Sequence, residues 1–145
     1  MAEKIWALIE PYMQQDACFI YDIEYIKESG ERILRIFIDS DNGVDLNDCE
    51  RVSRLIESVL DEYDIIQEQY RLQLSSPGVE RRIRLHWHYK KYIDSTVMVK
   101  LYAPLSETGT KKIKGILKEV TDLYIVIDNI NISFEKISNC NLSVF

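Results

Sequence analysis

The chain has 145 residues, of which 46% are apolar and 10% aromatic, enough for one domain or two small ones and too apolar for a disordered chain. No run of about 18 apolar residues occurs, which excludes a helical membrane span, and the N-terminus Met1-Ala2-Glu3-Lys4-Ile5 lacks the basic start of a secretory leader, so the expected compartment is the cytoplasm. Net charge is −6, with 18 acidic and 10 basic side chains in residues 1–84 against 6 and 8 in residues 85–145; a mainly acidic chain repels phosphate at long range and suits a basic protein partner better than non-specific nucleic acid.

Ile5, Leu8, Ile9 and Tyr12 recur at helical spacing and predict a helix over 3–15, which Pro11 can kink or end. Phe19, Tyr21, Ile23 and Tyr25 alternate with Asp22 and Glu24 in a strand pattern, and Glu28-Ser29-Gly30-Glu31 signals a hairpin turn. A second strand follows, with Leu34, Ile36 and Ile38 on one face and Arg35, Phe37 and Asp39 on the other. After a polar loop at 39–45, residues 46–61 form the clearest helix, capped by Asp45 with Asp48 in its first turn and a buried stripe of Cys49, Val52, Ile56, Val59 and Leu60. Tyr70, Leu72 and Leu74 predict a third strand. This α-β-β-α-β order implies a three-stranded sheet with two helices on one face. Its core face takes the apolar residues named for the three strands; the other shows Asp22, Glu24, Arg35, Phe37, Arg71 and Gln73, where opposite charges on neighbouring strands can pair.

Pro77-Gly78 breaks the third strand, and His86 to Tyr92 can form a short helix. Beyond Thr96, β-rich runs dominate at 96–101, 112–120, 123–128 and 131–135, with a last piece near 142–144. Turns are signalled at Glu107-Thr108-Gly109, Thr121-Asp122 and Asp128-Asn129. Several runs are apolar on both faces, as in a small closed barrel. The fold class expected is therefore α+β, with an N-terminal domain over 1–82, a junction over 83–95 and a barrel over 96–145.

Cys18, Cys49 and Cys140 form no C-x-x-C pair, which points to reduced, partly buried thiols rather than zinc or redox chemistry. The loop Asp39-Ser40-Asp41-Asn42-Gly43-Val44-Asp45, with Glu50, has the outer spacing of a calcium loop. However, it carries Gly43 and Val44 where that loop needs a ligand and then glycine, so a strand-to-helix turn is the better reading. Ser75 and Ser76 lack a nucleophile elbow, and His86 and His88, two apart, make a poor metal pair. Trp87 and Tyr89 read as packing rather than as a stacking platform. No catalytic residue, metal or cofactor is implied. Arg81, Arg82, Arg84, Lys90 and Lys91 form the strongest basic cluster, and Lys111, Lys112 and Lys114 a second; both permit contact with RNA phosphates. An RRM would want aromatics on its open sheet face and a KH module a GXXG loop; neither is present.

Three segments carry a family resemblance: Leu34-Arg35-Ile36-Phe37-Ile38-Asp39-Ser40-Asp41-Asn42-Gly43-Val44, then Cys49-Glu50-Arg51-Val52-Ser53-Arg54, then Leu74-Ser75-Ser76-Pro77-Gly78-Val79-Glu80-Arg81. In order and spacing they resemble the bacterial ribosome maturation factors of the RimP family. Past Thr96 the similarity is weaker, through residues 112–117 and Ile137 to Leu142. Arg82 stands where the family usually has proline, and Asp94 where it usually has glycine.

The resemblance implies an N-terminal α/β domain followed by an SH3- or Sm-like barrel, and no enzymatic activity. It implies a factor for maturation of the small (30S) ribosomal subunit that binds free subunits transiently, its barrel contacting a ribosomal protein near the decoding centre. Charge then suggests Asp39, Asp41 and Asp45 as contacts to basic ribosomal protein, with both basic clusters facing rRNA. The expected state is a monomer without membrane attachment. The alternative is a non-ribosomal adaptor whose barrel captures a peptide segment.

Overall fold

The computed structural model describes residues 1–144 and divides into two compact units, Met1–Pro77 and Gly78–Phe145. In the first, helix α1 (Ala2–Met13) precedes strands β1 (Phe19–Glu28) and β2 (Glu31–Asp39), helix α2 (Leu46–Tyr63) and strand β3 (Arg71–Ser75). β1 and β2 form an antiparallel hairpin, and β3 lies parallel to β2 in the order β1-β2-β3. A parallel neighbour needs a crossover, and α2 supplies it. The two-residue turn Ser29-Gly30 has φ of 52° and 78°, the left-handed backbone that matches hairpin twist. Pro11 lies inside α1, which ends at Met13 rather than running to residue 15.

Ile5, Ile9 and Met13 of α1 and Val52, Ile56, Val59 and Leu60 of α2 share one core with Ile20, Ile23, Leu34, Ile36 and Ile38. The simple alternation expected for β1 is broken. Ile20 pairs with Ile38 but Asp22 pairs with Phe37, so Tyr21 is the extra residue of a bulge. A bulge reverses the facing of everything before it. Ile20 therefore replaces Phe19 and Tyr21 on the core face. Asp22, after the bulge, keeps the opposite face expected for it beside Phe37, but it is buried there, only 4% exposed. On the opposite face Glu24, Arg35 and Gln73 lie in one cross-strand row. Arg35 donates to Gln73 Oε1, Glu24 and Glu28 at 2.9–3.1 Å, the charge pairing expected there.

The second unit holds helix α3 (His86–Lys91) and strands β4 (Thr96–Leu101), β5 (Lys112–Val120), β6 (Tyr124–Ile127), β7 (Ile130–Ser133) and β8 (Ile137–Leu142), with a 3-10 turn at Phe134–Lys136. The last strand thus begins five residues before the piece expected near 142–144, because the polar Ser138, Asn139 and Asn141 masked its alternation. The five strands make an antiparallel sheet in the order β7-β6-β5-β4-β8. Its edges are β7 and β8, which form no pair with each other among the described residues, in place of the closed barrel read from the two-sided apolar runs. β5 pairs with β4 up to Ile116 and with β6 from Leu117, with a register shift between Leu117 and Glu119. Val97, Val99, Leu101, Ile113, Leu117, Ile125, Ile127, Ile132 and Cys140 fill the core, joined by Ile83 and Tyr89. Ile83 N–H donates to the Cys140 carbonyl and Leu142 N–H to that of Arg81, both at 2.8 Å, so residues 81–83 cover the outer edge of β8.

Candidate functional site

Strand register gathers the basic residues of the second unit. With Val97, Val99 and Leu101 turned into the core, Met98 and Lys100 face outward. Asn141, Met98 and Lys114 are successive cross-strand partners, and Arg82 bridges to Asn141 from the covering segment. The next row is Asn139, Lys100 and Lys112. Side chains in register share a face about 5 Å apart between strands. Arg82, Lys100, Lys112 and Lys114 therefore form one cationic patch drawn from two strands and an edge segment. Cations at that spacing, presented among asparagines, suit phosphate oxygens of a nucleic-acid backbone. Lys100 was not among the residues singled out from sequence. The period-2 pattern of β4 places it outward, but only pairing with β5 shows that it lies beside Lys112.

The remaining cations are placed differently. Arg81 donates through Nε to the Gly78 carbonyl at 2.9 Å and through Nη1 to Tyr92 Oη at 2.9 Å, with its guanidinium 5.9 Å from the Tyr92 ring centre. Those bonds hold it in place. Arg84 is exposed and flanks buried Ile83 together with Arg82. Lys90 and Lys91 occupy the last turn of α3, where cations are favoured by the helix dipole whatever else they do. Lys111 is exposed immediately before β5.

In the first unit the three aspartates of the 39–45 loop have separate fates. Asp39 ends β2 and is 7% exposed, whereas Asp41 lies exposed in the turn. Asp45 is the N-cap of α2: its Oδ1 accepts from Asp48 N–H at 2.8 Å, and Asp48 Oδ2 accepts from Asp45 N–H at 3.0 Å. This reciprocal capping box is tied to the α1–β1 loop by Arg51. Arg51 donates to both Asp16 oxygens at 2.8 and 3.0 Å and to Asp48 at 3.0 Å. The guanidinium holds the Asp16 carboxyl below its ordinary pKa, against the opposing effect of burial.

The serine and histidine residues have local bonds. Ser75 Oγ donates to the Ser76 carbonyl. Buried His88 accepts at Nδ1 from the N–H groups of Arg84 and Leu85 at 3.1 and 3.0 Å, which satisfies two donors at the start of α3. His86 Nε2–H donates to the Thr121 carbonyl at 3.0 Å. Burial pushes the Cys140 thiol up to about 12, which removes thiolate character. No helix of the described residues is long and apolar enough to cross a membrane.

These features define a two-unit α+β protein with an acidic first unit and a cationic sheet face on the second. Residues 8–80 match the family described as the RimP N-terminal domain, and the chain belongs to the RimP family of ribosome maturation factors.

Proposed function

We propose that this chain is a non-enzymatic maturation factor of the small (30S) ribosomal subunit. It acts in the cytoplasm as a monomer and binds free subunits transiently. Family membership over residues 8–80 carries the reading, and charge segregation supports it. Residues 1–77 hold 17 acidic and 7 basic side chains, net −10, while residues 78–145 hold 7 and 11, net +4.

The acidic unit meets basic ribosomal protein through Asp39, Asp41 and Asp45, of which Asp41 is best placed to reach a partner, and the second unit contacts a ribosomal protein near the decoding centre. Arg81, Arg82, Arg84, Lys90, Lys91, Lys111, Lys112 and Lys114, joined by Lys100, meet rRNA. The second unit is an SH3/Sm-like barrel left open between β7 and β8; supporting this is the way β5 divides its pairing between β4 and β6 around Gly115 and the Leu117–Glu119 irregularity, the bend that curls a small sheet on itself.

Sedimentation of a lysate through a sucrose gradient tests the reading. The protein is expected with free small subunits and not with finished ribosomes or polysomes. A partner that is retained after ribonuclease treatment, in fractions holding no subunit, would replace this function with that of a peptide-binding adaptor.

A further inference from the structure

We propose that a cleft in the second unit takes one unpaired nucleotide of single-stranded RNA, with its base against Tyr102 and Phe134 and its phosphate toward Arg82 and Arg84. The inference rests on the rRNA contact proposed above and specifies where part of it is made. The cleft encloses about 530 Å³ between β8, the segment before α3 and the Phe134–Lys136 turn, within the ~300–1,000 Å³ of small-ligand sites. Its chemistry is that of a base and a phosphate.

Phe134 is fixed as a wall by two other rings, Tyr89 edge-on at 5.2 Å and His86 tilted at 6.0 Å. The Thr121 carbonyl holds His86 in turn. Tyr102 also lines the cleft and is 70% exposed, so a large ring stands in water where a base could cover it. Base–aromatic stacking supplies affinity without requiring a particular base. Asn139 accepts the Cys140 N–H at Oδ1, 3.0 Å, which leaves its Nδ2 hydrogens to donate to a base carbonyl. Arg82 and Arg84 flank buried Ile83 and line the same cleft as the rings, so two cationic residues belong to its wall. One carboxylate, Asp122, also lines the cleft, exposed beside His86, so the two arginines leave it net cationic; a basic protein segment would meet like charge there and an RNA phosphate opposite charge.

A duplex keeps its bases stacked and cannot insert one, so binding should depend on single-strandedness. The experiment is fluorescence anisotropy of the full chain with a short labelled RNA lacking secondary structure, against the same sequence as a duplex, over a salt series. Tyr102→Ala is the principal variant because its exposed ring leaves the core intact. It should weaken single-strand binding about tenfold, leave the salt slope unchanged, and be rescued by Tyr102→Phe. Arg84→Ala should lower the salt slope by about one.

Equal affinity for the duplex, or an unchanged affinity of Tyr102→Ala, would overturn the proposal. So would a wild-type chain that ignores single-stranded RNA while its sedimentation with free small subunits is weakened by Tyr102→Ala; the cleft would then hold a ribosomal protein segment. If the chain binds single strands through Tyr102 yet never sediments with free small subunits, the cleft stands and the ribosomal reading falls.

Discussion

Asp94 shows what a single residue can carry. It has φ of 78°, a left-handed backbone that costs an L-residue about 1–2 kcal/mol and costs glycine nothing, and its N–H donates to the Leu117 carbonyl at 2.7 Å. Glycine, which the resemblance implies at this position, would adopt that backbone without strain. Asp94→Gly should raise stability by about 0.5–1 kcal/mol, the relief of strain exceeding the extra unfolded-state entropy of glycine; a lowered urea midpoint would contradict this. Asp16 makes the complementary point about charge. Its pKa is depressed in the folded state by Arg51, so its stabilisation is fully present above the unfolded value of about 4 and is lost as pH falls through the folded one. The stability difference between wild type and Asp16→Asn, measured by urea unfolding at several pH values, should therefore narrow below about pH 4. Arg51 belongs to one of the family-like segments, but its partner lies 35 residues earlier, so the sequence marked the residue without its role.

At the scale of elements, the helices and most strands were legible because their periodicities are local. α2 starts at Leu46 behind the Asp45 cap as expected, and β4 and β5 keep their expected bounds of 96–101 and 112–120. Less legible was facing. The bulge in β1 depends on how its partner strand pairs, so Phe19, Ile20 and Tyr21 could not be placed from alternation alone. Gly115 is another such case. A Cβ there would lie 2.4 Å from Asp128 Oδ2 and 2.8 Å from Ile127 Cγ2. Asp128 is itself engaged, its Oδ1 accepting the Ile116 N–H at 3.1 Å, and Ile127 is fully buried. Gly115→Ala should therefore cost about 1–3 kcal/mol through overpacking, read as a fall in the thermal midpoint; an unchanged midpoint would show that Asp128 gives way freely.

Across the whole molecule, each unit has its own core. Residues 1–77 expressed alone should unfold cooperatively in urea, with the far-UV circular dichroism of an α/β fold; a featureless, non-cooperative transition would refute that independence. The cationic sheet face yields a second expectation. Lys100→Glu with Lys112→Glu should weaken binding to free small subunits and reduce its salt dependence, since each phosphate contact contributes about 0.9 to the slope, whereas a neutral outcome would move the rRNA contact off this face. The sequence by itself determined the α+β class, the order of elements, the α2 cap and the family, because these rest on local periodicity, turn chemistry and short motifs. Only the tertiary structure decided that Asp39 is buried while Asp41 is exposed, that Lys100 joins the basic patch, and that Tyr102, Phe134 and Arg84 line one cleft. Those are facts of register and of contacts between residues far apart in the chain, and no local pattern encodes which strand a residue will lie beside.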